Sequence, residues 1–104
     1  MNTIMRRTVY SIKELKRLLS PVFQENDVAS AYLFGSYARG EAKRSSDVDL
    51  AIRFKKNSRK SLFDLVGLKY DIENVLKKSV DVGTVESMHP IIKKHARLDF
   101  VKLK

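Results

Sequence analysis

The chain has 104 residues, of which 21 are Lys or Arg and 12 are Asp or Glu, so its formal net charge is +9. This length suits a single domain over residues 1–104 and is too short for an enzyme with separate cofactor and substrate domains. The chain has no cysteine, which excludes disulfide frameworks, thiolate metal sites and cysteine nucleophiles. No apolar run approaches the roughly 20 residues of a membrane-spanning helix, and we expect a cytoplasmic protein without membrane contact.

The N-terminal part predicts a helix followed by a buried strand. Ser11 and Glu14 form a capping-box pattern, a hydroxyl at the cap and a carboxylate three residues later, before an apolar helical repeat. Because proline lacks the backbone N–H, we expect Ser20-Pro21 to break or kink this helix. The apolar run Val28–Phe34 is typical of a buried strand.

A turn and a second strand follow. Gly35-Ser36 ends the first strand, and we predict a short helical turn from there to about Gly40. Asp47–Phe54 alternates polar and apolar residues, which predicts a strand with one buried face. The predicted buried face consists of Val48, Leu50, Ile52 and Phe54.

The C-terminal part predicts two helices and two further strands. A helix begins after the Ser61 cap and runs to about Lys78. Its predicted buried stripe consists of Leu62, Leu65, Val66, Ile72, Val75 and Leu76. We predict a third strand over Val80–Val85, a last helix over Pro90–Arg97 and a short edge strand within Leu98–Leu103. This order of elements predicts an α/β fold with helices packed on a small sheet.

Three aspartates lie in the second and third predicted strands. Asp47 and Asp49 are two residues apart, so they share one face of the sheet and lie about 6.5–7 Å apart along the strand. Asp81 interrupts an apolar strand, and it joins the other two if its strand neighbours theirs. Because three such charges repel one another, the set predicts a divalent cation, and all-oxygen ligands indicate Mg²⁺, with two ions bridged by the carboxylates.

The Gly35-Ser36 pair is suited to binding phosphate. Glycine lets the backbone approach a phosphate closely, and the Ser36 hydroxyl and nearby amides can donate to its oxygens. Arg39, one turn further on, is a candidate partner for a phosphate or for an aspartate. Each residue also has a purely structural explanation: Gly35-Ser36 as a plain turn, Asp47 as a turn residue, and Asp81 as a core carboxylate paired with an arginine.

Positive charge is concentrated in residues 35–60, which contain eight basic and three acidic residues. Such a segment attracts nucleotides, nucleic acid or an acidic protein face, or it simply keeps a loop solvated. Nucleic-acid binding is the less favoured interpretation. Many of the nine aromatic residues fall in the predicted core, so no stacking platform is evident.

Together these residues resemble the minimal nucleotidyltransferases of the DNA polymerase beta superfamily. The family pattern of Gly-Ser, ten residues, Asp-x-Asp and a third acidic residue in an apolar strand is present as GSYARGEAKRSSDVDL, with Asp81 in VDV. The resemblance implies the polymerase beta-like α+β fold, a small mixed sheet with packed helices. It also implies that Asp47, Asp49 and Asp81 are catalytic, that Asp47 and Asp49 bind Mg²⁺, and that Asp81 completes the metal site or acts as the base. Gly35 and Ser36 would hold the triphosphate of ATP.

Stand-alone chains of this size further resemble the antitoxin of HEPN–MNT toxin–antitoxin pairs. The resemblance implies transfer of AMP from ATP to a hydroxyl, expected to be that of a tyrosine, on a HEPN ribonuclease toxin that forms a hetero-oligomer with the chain. Two alternatives stay open. One is a non-catalytic antitoxin that neutralises its partner by binding, and the other is nucleotidyl transfer to a small-molecule hydroxyl.

Overall fold

The computed structural model describes residues 9–104, the side chain of Ala96 excepted. In chain order, the elements are α1 (Ile12–Glu25), β1 (Val28–Phe34), β2 (Val48–Phe54), α2 (Leu62–Leu76), β3 (Val80–Thr84), α3 (Pro90–Arg97) and β4 (Val101–Lys102). The strands form a mixed sheet with helices packed on it, so the predicted fold class is confirmed. Within residues 9–104, no helix has both the length and the apolar character needed to cross a membrane.

The topology of the sheet brings three separate segments to one edge. The strand order is β3-β2-β1-β4, with β1 antiparallel to β2 and β4, and with β2 parallel to β3. Because β1 runs against its neighbour, its C-terminal end lies beside the N-terminal ends of β2 and β3. The turn after β1 and the first residues of β2 and β3 therefore meet at this edge.

The hydrophobic core lies between one face of the sheet and the helices α1 and α2. Each fully buried aliphatic side chain there contributes about 1.5–3 kcal/mol. The most buried helical residues are Leu15, Leu19, Phe23, Leu68, Ile72 and Leu76. The strand residues that join them in the core are Val28, Ala31, Leu33, Val48, Leu50 and Ile52. The Tyr10 hydroxyl donates to the Leu76 carbonyl at 2.6 Å, which ties the segment before α1 to the end of α2.

The expected break at Ser20-Pro21 is wrong, because α1 continues through Pro21 to Glu25. The proline removes one backbone hydrogen bond and costs the helix about 3 kcal/mol. The same helix buries Val22 and Phe23, which lie beyond the proline and extend the buried stripe of its first two turns. Burial of these two side chains offsets the cost, so tertiary packing overrides the local preference.

The predicted buried stripe of α2 is partly wrong. Leu68, which was not in the predicted set, is fully buried with Ile72 and Leu76, and Leu65 packs partly against the core. Exposed residues of the predicted set are Leu62, Val66 and Val75. This helix is apolar on several sides, and at about 100° per residue Leu62 and Val66 lie about 60–100° around the helix from Leu65. The position of the sheet selects the buried face of α2, and the spacing of apolar residues along the helix does not show where the sheet lies.

The remaining differences concern boundaries. Residues 35–40 form a single hydrogen-bonded turn, in which the Arg39 amide donates to the Gly35 carbonyl as in one turn of a helix, and β2 begins at Val48 rather than at Asp47. The third strand ends at Thr84, and the edge strand contains only Val101–Lys102. The predicted limits of β1 and α3 agree with the structure.

Replacing Pro21 with alanine is expected to raise the free energy of unfolding by about 1–2 kcal/mol. Alanine restores a backbone donor and is about 3 kcal/mol more favourable than proline inside a helix. Loss of proline also raises the conformational entropy of the unfolded chain, which lowers the free energy of unfolding by about 1 kcal/mol. Pro21 is exposed, so little packing is lost. Urea denaturation measures the change, with Ser20→Ala as the exposed neighbouring control. An unchanged or lower stability for Pro21→Ala would contradict this account.

Candidate active site

The three predicted aspartates come together at the sheet edge where β1 ends. Asp49 on β2 is paired with Phe34 on β1 and with Asp81 on β3. Asp47 lies two residues before Asp49, immediately ahead of β2. In-register partners of neighbouring strands point to the same face, as do residues two apart along a strand. The carboxylates therefore share one face of the sheet, opposite the core.

Strand alternation explains why these carboxylates point away from the core. Val48 and Leu50 are buried on either side of Asp49, so the backbone turns Asp49 to the other face. The next residues on that face are Ala51 and Gly83, which are paired across β2 and β3. Because these residues are small, a cleft of about 150 Å³ remains beside Asp81. The cleft can admit a substrate group next to the carboxylates.

Asp49 experiences the repulsion of the neighbouring carboxylates most strongly. Burial, together with the neighbouring charges of Asp81 and Asp47, raises the pKa of Asp49 to about 6. Arg39 acts in the opposite sense and lowers it. Asp49 is partly buried, whereas Asp47 and Asp81 are exposed. At neutral pH this edge therefore carries ionised carboxylates that a cation would stabilise.

The donor set fits Mg²⁺ as an ion that a nucleotide helps to bind. Within the described residues, no three His, Asp or Glu side chains already form a metal-binding group. Mg²⁺ usually takes only one or two carboxylates together with phosphate oxygens and water. The all-oxygen donors and the electrostatic repulsion at Asp49 meet that requirement, and the phosphates of a substrate would complete the coordination.

The turn after β1 approaches the carboxylates closely at Gly35. Gly35 has φ +73°, a conformation that favours glycine, and a Cβ at this position would collide with the Asp49 carboxylate. The amides of Ala38 and Arg39 donate to the Gly35 carbonyl at 3.1 and 3.2 Å, and the Glu41 amide donates to the Ser36 carbonyl at 2.9 Å. These bonds hold the Gly35-Ser36 backbone against Asp49, where the sequence predicts a phosphate.

Arg39 is held by carboxylates in the structure. Its Nε donates to Glu41 Oε1 at 2.8 Å, and its Nη1 lies 3.5 Å from Asp99 Oδ2. The side chain is 44% exposed, so both ion pairs are open to solvent and weak. Of the two expected kinds of partner, the structure places Arg39 with carboxylates, although not with those of the Asp-x-Asp pair.

A second cleft of about 270 Å³ lies between the Gly35 turn and α3. Gly35 and Arg39 line one side, and Ile92, His95 and Asp99 line the other. These last three residues are not among the site residues that the sequence predicts. They lie more than 50 residues along the chain from Gly35, and a lone histidine and an aspartate after a short helix form no recognisable pattern.

The chain matches a known family along most of its length. Residues 12–103 match the family model described as a nucleotidyltransferase domain. A Methanocaldococcus jannaschii protein with the provisional name protein adenylyltransferase is 48% identical over 83 residues, which cover 80% of this chain and 87% of the relative.

Solved structures share the fold at lower identity. The chain is similar to a toxin–antitoxin structure with AMP-PNP, with a TM-score of 0.74 and 21% identity over 86% of this chain and 72% of that one. It is also similar to a complex of a tri-AMPylated Shewanella oneidensis HEPN toxin with an MNT antitoxin. There the TM-score is 0.68 and the identity 17%, over 89% of this chain and 71% of that one. These likenesses establish the fold.

Gly35→Ala and Gly40→Ala are expected to lose similar stability but to differ in nucleotide binding. Both glycines have φ +73°, so each alanine costs about 1–2 kcal/mol. A Cβ at Gly35 displaces the Asp49 carboxylate, whereas a Cβ at Gly40 meets nothing within 4 Å. Gly35→Ala alone should weaken Mn²⁺–ATP binding, by about tenfold or more, in isothermal titration calorimetry. Equal affinity losses in the two variants would refute this role of Gly35.

Asp49→Asn is expected to stabilise the metal-free protein above pH 6. The unfolded Asp49 carboxyl ionises near pH 3.8 and the folded one near pH 6, so folding takes up a proton between these values. The contribution of Asp49 to stability therefore falls as the pH rises from about 4 to about 6. The neutral asparagine avoids this loss, which we estimate at about 1 kcal/mol because solvent screens the partly exposed group.

Urea denaturation in EDTA at pH 4.5 and pH 7.5 measures the difference. Asp49→Asn should be more stable than the natural protein at pH 7.5 and nearly equal to it at pH 4.5. When Mg²⁺ replaces EDTA at pH 7.5, the difference in free energy of unfolding between the two proteins should become smaller. Asp71→Asn, an exposed change on α2, is the control. A pH-independent difference would count against the charge repulsion.

Proposed function

The chain belongs to the nucleotidyltransferase domain family, and we propose that it transfers AMP from ATP to a hydroxyl of a partner protein as the antitoxin of a HEPN ribonuclease toxin. The observation that carries this proposal is the contact between the Gly35 turn and Asp49, with Asp81 in register beside it. A phosphate-binding backbone and a set of carboxylates thereby meet at one point. Nucleotidyl transfer requires both.

The carboxylates and the turn have separate tasks in this proposal. Asp47, Asp49 and Asp81 hold Mg²⁺, as two ions when the nucleotide is bound, and the amides and hydroxyl of Gly35 and Ser36 donate to the triphosphate. Bound Mg²⁺ supplies positive charge that stabilises the transition state at phosphorus. Arg39 exchanges its exposed ion pairs for a phosphate oxygen.

The reaction is a displacement at the α-phosphorus of ATP. The acceptor oxygen forms a bond to this phosphorus, the bond to the bridging oxygen of pyrophosphate breaks, and pyrophosphate leaves. The acceptor hydroxyl loses its proton to a carboxylate. Asp81 suits this role because it is exposed and borders the cleft, where an incoming hydroxyl can reach it.

Several observations support a protein acceptor. The relative that is 48% identical carries the provisional name protein adenylyltransferase. One structural neighbour is a complex with AMP-PNP, and another contains an AMPylated HEPN toxin bound to its antitoxin. Asp47 and Asp81 are exposed, so a side chain of a second protein can approach them in a hetero-oligomer. We propose that the acceptor is a tyrosine. We also propose that the protein acts in the cytoplasm, where ATP is available and where a chain without cysteine loses no disulfide.

Label from α-³²P-ATP, but not from γ-³²P-ATP, is expected to appear on a protein band when the purified chain is incubated with Mg²⁺ and a lysate of the source organism. Only the α-phosphate stays with the acceptor. Asp47→Asn combined with Asp49→Asn should abolish the label, because it removes two charges from the metal site, and so should EDTA. Mass spectrometry of the band identifies the modified residue.

Asp71→Asn is the control for a carboxylate-to-amide change outside the site, and circular dichroism verifies that each variant is folded. Label retained by the double variant would refute catalysis at these aspartates. Label confined to small molecules would favour a small-molecule acceptor. If no label appears and the double variant still neutralises a co-purified toxin, the chain is an antitoxin that acts by binding alone.

A further inference from the structure

Lys78 is a buried lysine that the proposed chemistry does not use. It lies between the end of α2 and the start of β3, and only 3% of its surface is exposed. Among residues 9–104, it is the one charged residue whose side chain belongs to the buried set. Burying an ammonium group is costly unless it is paired or hydrogen-bonded, so its position calls for an explanation.

The ammonium group binds the loop that leads to Asp47. Lys78 Nζ donates to the Arg44 carbonyl at 2.8 Å, a contact between residues 34 positions apart in the chain. Arg44 lies in a loop without regular secondary structure, three residues before Asp47. Within that loop, the Ser46 amide donates to the Lys43 carbonyl at 2.9 Å, and the Lys43 amide donates to Ser46 Oγ at 2.8 Å. Lys78 therefore ties a small turn next to Asp47 to the start of β3.

Other residues already secure the junction between α2 and β3. The Val80 amide donates to Glu73 Oε2 at 3.0 Å, and the Lys69 ammonium lies 3.3 Å from the same oxygen. The Lys77 amide donates to the Glu73 carbonyl at 2.8 Å and ends the helix. An apolar side chain at position 78 would fill the same space without the cost of burying a charge. The hydrogen bond of Lys78 thus acts on the loop rather than on its own connection.

Charge also connects Lys78 to the site. Burial lowers the pKa of the Lys78 ammonium, and the nearby charge of Asp47 acts in the opposite direction and partly offsets this effect. The Val48 amide, next to Asp47, donates to the Ser79 carbonyl at 3.2 Å, next to Lys78. The backbone bond and the side-chain bond hold the loop at two points on either side of Asp47.

We propose that Lys78 is a positioning residue, whose hydrogen bond to the Arg44 carbonyl holds the loop before β2 so that Asp47 faces the metal and phosphate site beside Asp49. The inference rests on the proposed role of Asp47 as a metal ligand. It extends the site by a residue that does not touch the substrate.

The test compares Lys78→Met with Lys78→Arg and Lys77→Met. The first removes the donor at nearly constant volume, the second keeps charge and donors, and the third makes the same exchange at the adjacent exposed lysine. Hydrogen exchange by NMR reports on the Ser46 and Val48 amides in the metal-free protein. Isothermal titration calorimetry with Mn²⁺ and AMP-PNP reports on the site without turnover.

Lys78→Met should accelerate exchange at Ser46 and Val48 by about tenfold and weaken binding of the Mn²⁺ complex by about tenfold, the effect of losing one buried hydrogen bond to a charged group. Lys78→Arg and Lys77→Met should stay within about twofold of the natural protein. If Lys78→Met does not fold, Lys78→Leu, which also lacks a hydrogen-bond donor, takes its place with the same expectations.

Unchanged exchange in Lys78→Met, or faster exchange with unchanged affinity, would overturn the proposal. An equal effect in Lys77→Met would overturn it as well, because the response would not be specific to the buried ammonium. If the natural protein does not bind the Mn²⁺ complex, the proposed metal site itself fails. Failure of the metal site is therefore distinguishable from failure of the Lys78 proposal, in which the natural protein binds the Mn²⁺ complex and Lys78→Met binds it equally well.

Discussion

The close approach of the Gly35 backbone to the Asp49 carboxylate is the contact on which the rest of the site depends. It requires a residue without a side chain at the end of β1 and a left-handed backbone conformation there. It also requires Asp49 to lie opposite Phe34, a register that the alternation of buried residues along β2 enforces. A slip of one residue would turn every side chain of β2 to the other face. The core and the site therefore specify each other.

The parallel pairing of β2 and β3 adds the third carboxylate. Asp81 reaches Asp49 only because α2 crosses over and returns the chain in register beside β2. The result is a concentration of like charge that disfavours folding at neutral pH, as the raised pKa of Asp49 indicates. The opposite face of the sheet supplies the compensating free energy, since α1 and α2 bury Leu15, Leu19, Leu68, Ile72 and Leu76 against it. Stability and chemistry occupy opposite faces of one small sheet.

The polar contacts around the site are of two kinds. Arg39 is bound at the surface by Glu41 and Asp99, in exposed ion pairs that a phosphate can replace at little cost. Lys78 is buried and donates to one backbone carbonyl, so it cannot exchange this partner for a phosphate at little cost. The first kind of contact suits a residue that changes partner when the nucleotide binds, and the second suits one that keeps a loop in place.

Local patterns in the sequence were sufficient for the capping box of α1, for β1, for the alternation of β2 and for the limits of α3, because neighbouring residues decide those features. The spacing of Gly35, Asp47 and Asp49 also predicted a shared site, and the structure brings the Gly35 turn against Asp49, while the roles of these residues stay a prediction. Contacts between distant segments decided the remainder. Packing of Val22 and Phe23 carried α1 through Pro21, and the sheet selected Leu68 rather than Leu62 as the buried residue of α2. The burial of Lys78 against Arg44 and the pairing of Arg39 with Asp99 join residues 34 and 60 positions apart, and no local pattern encodes a contact over that distance.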